Sequence, residues 1–150
     1  FAMSTPVRQR HRLLTELNPD AVHVHATEVG PSLDTLSRLG FSNEELKAGR
    51  ISSASLLFTD DSLEIWIGGK APHLVARLPR ANFTGIKHAR KTVALVNPTV
   101  SVSLDYLLAG GSTEFVFVPS HAMGRPLRSR QVHELIPSIR AWVGNKHVAL

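Results

Sequence analysis

The chain predicts an α+β protein: an antiparallel β-sandwich or partly open barrel of about seven strands, closed by one C-terminal amphipathic helix. Three observations point there. Short alternating or β-branched segments fill residues 54–119. Tight-turn pairs, Asp60-Asp61, Gly68-Gly69 and Gly110-Gly111, separate them as hairpin turns do. One apolar stripe at helical spacing then follows at 129–143.

Residues 1–20 form a flexible basic N-terminus on this reading, and Phe1-Ala2-Met3 has the character of an expression scar before a start methionine. STPVRQRHR at 4–12 is polar and frayed. Leu13, Leu14 and Leu17 make one helical turn, halted at Asn18-Pro19. Residues 21–27 (AVHVHAT) alternate strictly, with Val22 and Val24 opposed to His23 and His25, so this is a half-exposed strand. Pro31 opens a short helix with Leu33, Leu36 and Leu39 on one side, and Gly40 ends it. Ser42-Asn43-Glu44-Glu45 is a capping box for a second helix, ended by Gly49. Residues 21–50 thus add a strand and two short helices as an extension to a β-rich domain at 51–150.

Strands follow at 54–59 (ASLLFT), 62–67 (SLEIWI) and 73–78, the last stopped by Pro79. Residues 82–87 and 91–96 form a hairpin across the basic loop 87–91. Val100, Val102, Leu104 and Tyr106 share a face of the next strand, and 113–118 (TEFVFV) has the strongest strand pattern. In the closing helix Val132, Leu135, Ile136, Ile139, Trp142 and Val143 form the stripe, with Ser129 as N-cap and Gly144 as stop. Pro137 opposes a straight helix at a cost of about 3 kcal/mol. The stripe keeps its phase across it, which favours a kink over a break.

A length of 150 residues suits one domain. An apolar share of 43% and a charged share of 19% are those of a folded globular chain. There is no cysteine, which removes disulfides, thiolate catalysis and cysteine-ligated zinc. No apolar run approaches the roughly 20 residues of a transmembrane helix. A cytoplasmic location is the expectation.

Charge is unevenly placed. Nine acidic residues lie from Glu16 to Glu64, and none from Ile65 to Leu104, where Lys70, Arg77, Arg80, Lys87, Arg90 and Lys91 stand. A field of one sign attracts phosphates, anionic membranes or acidic proteins. The expected anion-binding residues are Lys87, Arg90 and Lys91, with Arg77 and Arg80. The plainer alternative is a solvated basic face. A nucleic-acid surface would interleave aromatics with these cations, yet Phe83 stands alone between Trp66 and Tyr106. In a helix-turn-helix reading of 33–48, Asn43-Glu44-Glu45 would face and repel phosphates.

No cofactor and no catalytic set is expected: Walker, Gly-x-Gly-x-x-Gly and Gly-x-Ser-x-Gly motifs are absent. His23 and His25, at i and i+2 of a strand, point the same way and are weak metal candidates. With Glu28 they resemble the His-x-His and glutamate of cupins, without that family's glycine or its later glutamate. Two exposed strand histidines explain them as well.

Short strands capped by one C-terminal helix across 52–144 resemble the pleckstrin-homology (PH) superfold. Leu74-Val75-Ala76-Arg77-Leu78-Pro79 and then Phe83 to Ile86 are similar to the third-strand region of bacterial PH and GRAM-type domains. Residues 112–119 with 132–142 are similar to their last strand and closing helix. The resemblance implies two sheets packed nearly orthogonally, a helix plugging one end, and a non-catalytic interaction or regulatory module. The lipid-binding loop of such domains carries cations, whereas Thr59-Asp60-Asp61-Ser62 is acidic. The chain also resembles a START-like helix-grip fold, which would use 21–50 in the fold itself. That implies a cavity for a small apolar ligand under the last helix, and possibly an enzyme.

Overall fold

The structure, a computed structural model, describes residues 4–29, 54–69, 71–91, 99–121 and 126–148. The protein is α+β. Helix α1 (Ser4–Leu17) precedes strand β1 (Val22–Val29). Then come β2 (Ala54–Phe58), β3 (Ser62–Ile67), β4 (His73–Pro79), a 3-10 turn (Arg80–Asn82), β5 (Phe83–Lys91), β6 (Thr99–Leu108), β7 (Gly111–Ser120) and helix α2 (Ser129–Val148). The strands form one antiparallel sheet in the order β4-β3-β2-β1-β7-β6-β5, not closed into a barrel. Among the described residues no helix is long and apolar enough to cross a membrane.

The sheet curls over α2. Three bulges interrupt its ladders, at Thr27 of β1, Val75 of β4 and Thr84 of β5. An extra residue on one strand bends it and raises its twist. The curl brings inward-facing residues of all seven strands into one core with Val132, Ile136, Ile139, Trp142 and Val143 of α2. Aromatic rings fill the space beneath α2. Phe58 and Phe83 lie 5.1 and 5.2 Å from Trp142, and Tyr106 packs edge-on to Phe83 at 4.8 Å.

Where structure and sequence reading differ, long-range packing is the cause. β1 is not peripheral: it is the middle strand, paired with β2 on one side and β7 on the other. Residues 4–17 are helical rather than frayed, because Arg10 and Leu14, one turn apart, are fully buried against the sheet. β5 runs unbroken to Lys91, so residues 87–91 are strand and not a hairpin tip. The expected strand at 91–96 and the two helices at 31–49 lie outside the described residues. α2 continues through Gly144 to Val148, with Pro137 inside it. Ser129 is its first helical residue, so Arg128 takes the N-cap position, and the Gln131 Oε1 reaches back to accept the Arg128 N–H at 2.9 Å.

Candidate functional site

Of the expected basic residues, Lys87, Arg77 and Arg80 each hold separate partners. Lys87 Nζ is 2.5 Å from Glu114 Oε1 and 4.0 Å from Asp105 Oδ1. The hydrogen bond to Glu114 raises the Lys87 pKa and lowers that of Glu114. Arg77 stands opposite Glu64 in the β3–β4 ladder and pairs with it at 3.2 Å. Glu64 also accepts the Trp66 indole N–H at 3.0 Å, which holds that ring on the outer face. Arg80 is a structural cation. It donates to the carbonyls of Trp142 and Asp60 at 2.8 and 3.1 Å, with its guanidinium carbon 5.3 Å from the Trp142 ring centroid. Arg90 and Lys91 are the last residues of β5, opposite Val100 and Thr99 of β6. Positions 87, 90 and 91 therefore all belong to one strand at the end of the sheet order.

A second constellation lies on the opposite face of β1. The strand alternates, so Val24 and Ala26 enter the core while His23 and His25 face α1. Arg10 anchors that helix, donating from Nε to Ser55 Oγ at 2.7 Å and from Nη1 to the Gly68 carbonyl at 2.6 Å. Residue 11 is thereby set over β1. His11 Nδ1 lies 3.1 Å from His25 Nε2, and Thr15, one turn on, approaches His23 Nδ1 at 3.5 Å. The three imidazole centroids are 4.2 to 5.0 Å apart. One ligand atom from each of His11, His23 and His25 falls within 4.8 Å of the others, the one such group of three among the described residues.

Burial is the main cause of the electrostatics here. It pushes His23 down to about 3 and His25 to about 4, helped by neighbouring His11 and the Arg10 charge. His11 is lowered for the same reasons, burial first and Arg10 second. Arg10 itself falls to about 10 through burial and stays charged at neutral pH. The imidazoles are neutral at physiological pH and keep a lone pair each. His23 Nε2 and His25 Nδ1 are buried without a hydrogen-bond partner. Both residues also border a cleft of about 340 Å³ beside the start of α2, with Gln131, Glu134 and Leu135 on its other wall.

The period-two alternation of 21–27 marks His23 and His25 in the sequence. His11 escapes that reading, since it joins the pair only when α1 docks. The one available signal is helical spacing: His11 and Thr15 share a face, as do Arg10 and Leu14. A further pair, His88 of β5 and His133 of α2, meets through Nε2 atoms 3.2 Å apart and is more exposed.

Comparison with protein-family models, with curated proteins and with solved structures finds no match to this chain.

Proposed function

We propose that this protein is a non-catalytic interaction module of PH-like type that engages an anionic partner along β5. The observation behind this is that, among the described residues, β5 is an edge strand carrying Lys87, Arg90 and Lys91 within the acid-free span 65–104. An edge strand presents unpaired backbone groups as well as side chains, so it suits a partner that lies along it. The Lys87–Glu114 and Arg77–Glu64 contacts involve exposed cations, 60% and 59% accessible. Solvent and salt screen such pairs, so an anion can compete for them. α2 closing one side of a curled meander supports the PH-like reading. Aromatic rings pack closely around Trp142 in the C-terminal half of α2, which weighs against a helix-grip cavity at that end.

The test has two arms with one chemistry in common. Fluorescent polyphosphate is titrated with the protein, and vesicles of mixed phosphatidylserine and phosphatidylcholine are co-sedimented with it. Saturable binding that weakens with salt supports the reading, and the arm that binds more tightly identifies a free phosphate-bearing ligand or a membrane. Failure of both arms at low salt removes it.

A further inference from the structure

We propose that His11, His23 and His25 form a binding site for a divalent transition-metal ion, zinc first among them, that pins α1 to the centre of the sheet. The argument starts from distance. With Zn–N bonds of 2.0–2.1 Å, two ligand nitrogens on a tetrahedral ion sit about 3.3 Å apart. His11 Nδ1 and His25 Nε2 are 3.1 Å apart already, and the third ring keeps its ligand atom within 4.8 Å of both. Rotation about each Cβ–Cγ bond moves the ring nitrogens relative to one another, so side-chain adjustment is the route by which the third ligand atom would close in.

Hydrogen-bond accounting points the same way. A neutral imidazole has one N–H and one bare nitrogen. The His11–His25 contact uses one donor and one acceptor, and the Thr15 hydroxyl serves His23 on one side only. Each strand histidine is left with a second nitrogen, buried and without a partner. A buried polar atom in that state is destabilising, because it has given up water without gaining a partner. An ion that takes up ring lone pairs gives this arrangement a use that stacking alone does not.

The donor set selects the ion. Imidazoles without carboxylates or thiolates suit zinc, copper or nickel rather than magnesium or calcium. Three ligands leave one tetrahedral position for water. Arg10, the cation next to His11 in sequence, hydrogen-bonds to Ser55 and to the Gly68 carbonyl. Because two ligands come from β1 and one from α1, the ion would cross-link the helix to the sheet. Metal binding then becomes docking energy for α1.

The experiment uses the full chain, freed of metal by a chelator and titrated calorimetrically with Zn²⁺, then with Co²⁺ as a spectroscopic probe. One equivalent binds, and the cobalt protein shows the visible bands of a four-coordinate nitrogen site. His11→Gln, on the exposed side of the cluster, weakens binding about tenfold or more while the far-ultraviolet circular dichroism is retained. His23→Gln with His25→Gln abolishes binding, and His88→Ala with His133→Ala leaves it unchanged. Ring-nitrogen NMR of the unaltered protein gives a reading independent of any variant: zinc shifts the signals of His11, His23 and His25. No uptake, an unaffected His11→Gln protein, or shifts confined to His88 and His133 would overturn the proposal.

Discussion

The guanidinium of Arg80 is held against Trp142 twice over: it sits 5.3 Å from the indole centroid, and its Nε donates to that residue's own carbonyl at 2.8 Å. The indole N–H in turn donates to the Thr59 carbonyl. The 3-10 turn, the β2–β3 corner and the C-terminal half of α2 are thus tied together at one point. Arg80→Ala is expected to lower stability by about 1–3 kcal/mol, from the lost cation–π contact and the lost hydrogen bonds to the Trp142 and Asp60 carbonyls. Arg80→Lys keeps the charge but not the planar fork and falls between the two. Urea unfolding measures both, and an Arg80→Ala midpoint equal to the parent's would refute this role.

Gly68 should not tolerate a side chain. Its φ is +92°, and a Cβ there would lie 3.2 Å from the Ala71 carbonyl oxygen. Its own carbonyl accepts from Arg10, so a shift of this turn also disturbs the anchor of α1. Gly68→Ala is expected to cost about 1–3 kcal/mol. Amide exchange in α1 should accelerate more than in α2, and equal acceleration in both helices would contradict the coupling.

Much of this fold is legible in the sequence, because hydrophobic period is a local property. Each segment from 54 to 79 and the α2 stripe follow from alternation or helical spacing alone. Partner choice is not local. The placing of β1 between β2 and β7 joins residue 22 to residue 58, and residue 29 to residue 117. The basic run 87–91 resembles a loop because cations are rare in sheet interiors, but an edge strand accepts them. Arg10 resembles surface for a similar reason, and its burial depends on Ser55 and the Gly68 carbonyl arriving from distant parts of the chain. The same docking completes the histidine cluster, so two of its three members were visible and the third was not.

Acid should weaken the metal-free protein through these histidines. Their folded pKa values, about 3 for His23 and about 4 for His25, lie below the ordinary 6.5. Between those limits the unfolded chain binds more protons than the folded one, so stability rises with pH. The stabilisation is fully present above pH 6.5 and is lost progressively as pH falls toward 3. Arg10 and His11 on α1 face the pair, and Glu134 borders the cleft beside it. The urea midpoint should fall from pH 7 to pH 4, and His23→Gln with His25→Gln should flatten that slope. An unchanged midpoint across the range would show that these rings do not titrate as buried bases.

The proposal that β5 is the contact edge is tested most directly by comparing two charge-matched triple variants for binding to polyphosphate and to phosphatidylserine vesicles. One removes Lys87, Arg90 and Lys91; the other removes the exposed Arg8, Arg12 and Arg140, which lie on the helices. With three cations near an anionic surface removed together, the β5 triple should bind about a hundredfold more weakly. The helix triple, with the same net charge, should lose far less. Equal losses in the two proteins would mean that net charge alone drives binding, and would contradict a dedicated site on β5.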